Sequence, residues 1–133
     1  MSSVSRTGVD VGFLRRQRKA TIDDFEREAE KEIRKMILIL FTWLVKMTPV
    51  DTGQARAGWT MEMRQPSEWA PENGLTRYPA PPMPDTTRFR LGLIAWIANN
   101  VNHIVYLDEG ASDQAPAGMT AVALSNLDAL YGG

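Results

Sequence analysis

The sequence predicts an α+β fold: a long N-terminal amphipathic helix and a C-terminal helix packed on a small antiparallel β-sheet, with a proline-rich loop between the strands. Three observations carry this. Apolar residues recur every three or four positions from Ile22 to Met47, two alternating segments flank a stretch rich in proline, and a second helical stripe lies near the C-terminus. A chain of 133 residues supports one hydrophobic core but not two. The expected organisation is a flexible basic arm over residues 1–20 and a single domain over residues 21–133, with an extended loop at residues 66–87.

The arm is marked by Arg15-Arg16-Gln17-Arg18-Lys19 behind Phe13 and Leu14. Such a cluster either contacts phosphate or an acidic partner, or stays solvated and balances the acidic helix that follows. Thr21-Ile22-Asp23-Asp24 predicts a helix start, with Thr21 as the cap and acidic residues in the first turn, where the helix dipole favours them. The stripe then runs through Ile22, Phe25, Ala29, Ile33, Met36, Leu40, Leu44 and Met47. Asp23 with Arg27 and Glu30 with Arg34 have the spacing of helical ion pairs. The second half of this helix is apolar nearly all round, so enclosure on more than one side is expected, by this chain or by a neighbouring subunit. Pro49 ends it, because the residue before a proline is pushed out of helical geometry.

Residues 58–65 predict a half-buried strand, with Trp59, Met61 and Met63 on one face and Thr60, Glu62 and Arg64 on the other. Residues 66–87 hold six of the eight prolines and predict an extended loop. Such a stretch is either a ligand for an aromatic groove or a semi-rigid surface loop. Trp69 and Tyr78 within it imply that part of the loop packs on something. Residues 88–99 predict a second strand at least partly covered on both faces, Asn99-Asn100 a turn, since Asn tolerates left-handed geometry, and residues 101–107 a short third strand. Gly110 suits a positive-φ turn. Pro116-Ala117-Gly118-Met119 opens the last helix, whose stripe is Met119, Ala123, Leu127 and Leu130.

Composition narrows the function. The formal net charge of -1 provides no global attraction to phosphate, so any contact with nucleic acid is local. The absence of cysteine excludes disulfides, thiolate metal sites and a Cys nucleophile. The longest apolar run, residues 36–45, is about half of the roughly 20 residues a membrane span needs. No apolar segment directly follows the basic residues, so no secretory signal is expected, and the protein is expected to be made in a cytoplasm and used there or built into a particle. His103 is the single histidine; with Asp51, Asp108 and Glu109 it sketches a metal site, but these groups have no recognised ligand spacing. There is no phosphate loop or nucleophile elbow. The expectation is a protein that is not an enzyme and uses no cofactor or metal.

The segment Thr48-Pro49-Val50-Asp51-Thr52-Gly53 is explained locally as a helix-to-strand corner. Asp51 or Thr52 caps a short turn of helix through Gln54, Ala55 and Arg56, Gly53 permits close approach, and Trp59 anchors the departing strand. The same corner is equally suited to docking on a neighbouring subunit.

In order along the chain, this corner, Ala55-Arg56-Ala57-Gly58-Trp59, Asn99-Asn100, Tyr106-Leu107-Asp108-Glu109-Gly110 and Gln114-Ala115-Pro116-Ala117-Gly118-Met119 resemble the small neck or tail-completion proteins of lambda-like long-tailed phages. The resemblance covers residues 21–130. The chain departs from that family in having Asn102 and His103 where a proline usually stands, and in its longer inter-strand loop. The resemblance implies a virion structural protein of the head-to-tail junction or tail, assembled in the host cytoplasm as a homo-oligomeric ring of six copies. It further implies head-closure and tail-terminator or tail-tube proteins as neighbours, DNA in the channel, and no membrane. Gene-transfer particles and prophage remnants use the same parts.

On this reading the surfaces expected to meet neighbouring subunits or rings include Asp51, Thr52, Gly53 and Trp59 of the corner and the loop aromatics Trp69 and Tyr78. Downstream they include Tyr106, Glu109, Pro116 and Met119. Arg15, Arg16, Arg18 and Lys19 are expected to contact DNA or an acidic partner. The competing class is a soluble nucleic-acid-associated protein or metal-dependent nuclease that uses the same basic residues and the region of His103 and Asp108.

Overall fold

The computed structural model describes residues 11–108 and 120–132, apart from the side chain of Tyr106. Within them the chain is α+β: a long helix α1 (Val11–Met47), a single-turn helix α2 (Gln54–Ala57), strands β1 (Trp59–Glu62) and β2 (Trp96–Asn99), a short helix α3 (Ile104–Asp108) and a last helix α4 (Thr120–Tyr131). The expected residues Glu109, Gly110, Pro116 and Met119, and residues 1–10 of the arm, lie outside the described residues.

Helix α1 starts ten residues earlier than the expected cap at Thr21. Nothing between Gly12 and Thr21 breaks a helix, and Arg, Lys, Gln, Leu and Ala are all strong helix formers. The Thr21 hydroxyl therefore does not cap; it donates back to the Gln17 carbonyl at 3.0 Å, inside the helix. The basic residues 15–19, expected in a flexible arm, are helical and exposed. Its 37 residues make α1 about 55 Å long. Of the two expected ion pairs, Glu30 and Arg34 meet at 3.5 Å, whereas Arg27 pairs with Asp24 in place of Asp23.

The sheet is a single antiparallel pair, with Trp59 opposite Asn99, Thr60 opposite Ala98, Met61 opposite Ile97 and Glu62 opposite Trp96. Both strands are shorter than their alternation implied. Residues 88–95 do not extend β2. The Phe89 amide donates to the Thr86 carbonyl at 3.0 Å and the Leu93 amide to the Arg90 carbonyl at 3.1 Å, while Gly92 takes a φ of +94°. Helix α1 competes for this backbone as well. Arg34 Nη2 donates to the Phe89 carbonyl at 2.8 Å, and Glu30 accepts the Leu91 amide at 3.3 Å. The expected partial cover holds on the face of Phe89, which is buried, and of Ile97, which is half-buried, but fails on the other, where Ile94 and Trp96 are exposed; Leu91 and Leu93 are exposed as well.

The third strand expected at residues 101–107 is replaced by α3. Val101 turns inward, its carbonyl accepts the Ile104 amide at 3.0 Å, and the His103 carbonyl accepts the Leu107 amide at 3.1 Å. Asn99 makes the preceding turn through its side chain, whose Oδ1 accepts the Val101 amide at 3.1 Å. No left-handed Asn is involved, because among the described residues positive φ occurs only at Gly53, Gly74 and Gly92. Asp108 Oδ1 accepts the Thr120 amide at 2.7 Å, so α3 satisfies an end amide of α4.

The core is built where α1, the corner and α4 meet. Phe41 and Leu44 of α1 pack with Ala55, Trp59, Val101, Ile104 and Ala123, and Leu40, Trp43, Val45, Met47, Met61, Ile97 and Leu107 close around them. Phe41 is 2 % exposed and Ala123 is fully buried. The near-total apolarity of the second half of α1 follows from this, because sheet, corner and α4 approach it from different sides. Along α4, Ala123 is buried and Leu127 half-buried, but Leu130 is exposed.

Candidate functional site: the corner and the surfaces around it

Thr48 closes α1 and begins the corner. Its hydroxyl donates to the Leu44 carbonyl at 2.6 Å and accepts the Trp59 indole N–H at 2.7 Å, both within the protein interior. One hydroxyl thus satisfies a terminal helix carbonyl and a buried indole. Pro49 stops the helix, and Gly53 turns the chain into α2 with a φ of +89°. The Ala57 amide returns to the Gly53 carbonyl at 2.9 Å. Gly53 is the N-cap of α2, so neither Asp51 nor Thr52 caps it as expected; Thr52 Oγ1 accepts the Gln54 amide at 3.3 Å from the position before the cap, and Asp51 lies exposed.

The proline-rich loop folds back onto this corner. The Tyr78 amide donates to the Thr52 carbonyl at 2.9 Å and Gln54 Nε2 to Asn73 Oδ1 at 2.6 Å. Tyr78 is only 3 % exposed; its hydroxyl donates to the Glu72 carbonyl and accepts the Leu75 amide at 3.2 Å. A Cβ on Gly53 would stand 3.0 Å from the Tyr78 carbonyl oxygen. Gly53→Ala is therefore expected to lose about 1–2 kcal/mol from left-handed geometry alone, with a further loss as Tyr78 is displaced. Urea denaturation measures the total.

The downstream Asn pair ties the other side. Asn99 Nδ2 donates to the Ala55 carbonyl at 2.7 Å, while Asn100 Nδ2 donates to the Ser67 and Trp69 carbonyls at 2.6 and 3.0 Å. Segments that are far apart in sequence thus converge: residues 48–59, the loop around Tyr78, and residues 99–101. The roles of Thr48, Asn99 and Asn100 as polar ties were not evident from the sequence, and the pairing of Asn100 with the loop had no local signal.

Burial separates the residues expected at a subunit interface. Trp59, Tyr78 and Gly53 are buried within the chain. Asp51 and Trp69 are exposed and Thr52 is half-buried. Arg15, Arg16, Arg18 and Lys19 lie along α1, separate from the corner, within an arc of about 160° on a regular helix.

Two concavities flank the corner. A cleft of about 410 Å³ runs along Pro49 to Ala55 and is closed by His103 and Leu107. An open groove of about 1060 Å³ lies beyond the end of β1, between residues 61–68 and the side chains of Asp85, Arg88 and Leu93. At its margin the Asp85 carboxylate accepts the Thr87 hydroxyl at 2.6 Å and the Thr87 amide at 2.9 Å, and these bonds hold its pKa below the usual value. Among the described residues no three His, Cys, Asp or Glu side chains gather closely enough to hold a metal ion, and no helix is long and apolar enough to cross a membrane. The chain matches no family, no curated protein and no solved structure.

Proposed function

We propose that the chain is a structural protein of the neck or tail-completion apparatus of a long-tailed phage or a related gene-transfer particle, where copies form a ring, with six as the expected number, that joins head to tail. The observation that carries this reading is the convergence at the corner. Three of the segments that resemble the neck family, residues 48–53, residues 55–59 and Asn99-Asn100, come together as one hydrogen-bonded unit, with its buried members supporting its shape and Asp51 at its surface. The apolar surface left over supports it further: Trp69, Leu75 and Met83 of the loop, Leu93 and Ile94 before β2, and Val105 of α3 are all exposed. Exposed apolar area of this extent suits a chain that is covered on assembly. Head-to-tail contacts around an axis would bury it between copies, and stacked head-closure and tail-terminator or tail-tube rings would cover the remainder.

Deleting the gene in a particle-producing strain and imaging the lysate by electron microscopy tests this. The expected result is separate filled heads and unjoined tails, restored by the gene supplied in trans. Normal joined particles in the deletion strain would overturn the reading.

A further inference from the structure

Helix α1 carries one apolar face from end to end, with an eleven-residue repeat. Val11, Ile22, Ile33 and Leu44 occupy one position, Leu14, Phe25, Met36 and Met47 a second, and Arg18, Ala29 and Leu40 a third. Eleven residues are just over three full helical turns, so these positions stay on one side. The C-terminal part of that face buries Leu44 in the core. The N-terminal part leaves the body: Glu30 and Arg34 make the polar contacts to residues 89–91, and before them Val11, Leu14, Ile22 and Phe25 are exposed, Phe25 by 75 %.

The charges around the exposed part say what covers it. Arg15, Arg16, Arg18 and Lys19 form a basic block, and Asp23, Asp24, Glu26, Glu28, Glu30 and Glu32 an acidic one diluted only by Arg27 and Lys31. Two such helices laid parallel would set like blocks against each other. Laid antiparallel, they set opposite blocks together. The apolar spacing is self-complementary in the same sense. With Ile22 facing Phe25, Arg18 falls opposite Ala29 and Leu14 opposite Ile33, while along one flank Lys19 meets Glu26 and Arg15 meets Glu30.

We infer that the projecting half of α1 pairs antiparallel with the same segment of a second copy of this chain in solution. This two-fold contact is distinct from the head-to-tail contact of a ring and goes beyond the proposed function.

The full chain has no cysteine, so placed thiols report cleanly. R18C and A29C, made singly and mixed in equal amounts with a short bismaleimide, are expected to give several-fold more covalent dimer than either variant alone. Parallel pairing would instead cross-link each single variant with itself. The unmodified protein is expected to sediment as a dimer in the micromolar range, and Phe25→Asp to weaken that dimer at least about tenfold while its thermal unfolding stays close to that of the parent, because Phe25 is exposed. A monomeric parent, cross-linking as strong in the single variants as in the mixture, or an oligomer unaffected by Phe25→Asp would each overturn the inference. A mixture of R18C and A29C that shows no antiparallel cross-linking would overturn the pairing and leave the neck reading standing, whereas joined particles in the gene deletion would do the reverse.

Discussion

Trp59→Ala is expected to destabilise the protein by about 3–5 kcal/mol, the range for emptying a buried aromatic site. The indole sits where β1 leaves the corner, packs in the cluster that contains Phe41 and Leu44, and donates its N–H to Thr48. Removing it opens a cavity between α1 and the sheet and deprives the Thr48 hydroxyl of its donor. Two further variants separate those terms. Trp59→Phe retains most of the ring and loses the hydrogen bond, so about 0.5–1.5 kcal/mol is expected from the bond with a smaller packing loss. Thr48→Val leaves the buried indole N–H unpartnered and is expected to cost about 1–3 kcal/mol. Urea titrations of the three, compared at equal denaturant slope, check the ordering. A Trp59→Ala variant as stable as its parent would mean that the corner does not depend on this anchor.

The parts of the fold legible in the sequence were those set by long, consistent patterns. The stripe from Ile22 to Met47 fixed a helix because its spacing never failed, and Pro49 with Gly53 fixed the corner because few backbone geometries accept both. The errors share a physical cause. Thr21 has a capping side chain, but a cap is used only where the residues before it cannot continue the helix, and Arg15 to Ala20 continue it well. Phe89, Leu91 and Leu93 alternate like a strand, yet alternation gives only the two faces and says nothing about a partner strand. Arg34 and Glu30 of α1 take the backbone groups that a strand at this place would have offered. Residues 101–107 were misread for a related reason, since a run of β-branched residues around His103 suits a strand until Val101 is drawn under Gly58.

The site was legible as a location and not as an arrangement. Trp69 and Tyr78 stood out as unusual for a solvent-exposed loop; Tyr78 is buried as a support of the corner, whereas Trp69 is exposed. What ties Tyr78 there is its backbone bond to Thr52, a residue 26 positions earlier in the chain. No local pattern encodes such a bond. The Asn99 and Asn100 amides likewise act on carbonyls from distant segments, so their residue type was informative about a turn and silent about its partners.

Gly58→Ala is expected to cost about 1–3 kcal/mol, as over-packing of a closed site does, and for a different reason from Gly53→Ala. Gly58 has a φ of −81°, which any residue adopts, so backbone strain contributes nothing. The cost is steric: an added Cβ would stand 2.5 Å from Val101 Cγ2 and 2.6 Å from Asn99 Oδ1. Neither neighbour yields freely. Val101 is held in the core, and Asn99 is fixed by its bonds to the Ala55 carbonyl and the Val101 amide. Relief should therefore come from shortening Val101. In a double-mutant cycle, Gly58→Ala combined with Val101→Ala is expected to destabilise less than the sum of the two single changes, with a coupling of about 0.5–3 kcal/mol as is usual for residues in contact. Strict additivity would mean that the clash is absorbed elsewhere, by rotation of the Asn99 amide. That alternative has its own signature, since it would break the tie between β2 and α2 and expose the Ala55 carbonyl. A cycle of Gly58→Ala with Asn99→Ala would then show the coupling that the Val101 cycle lacked.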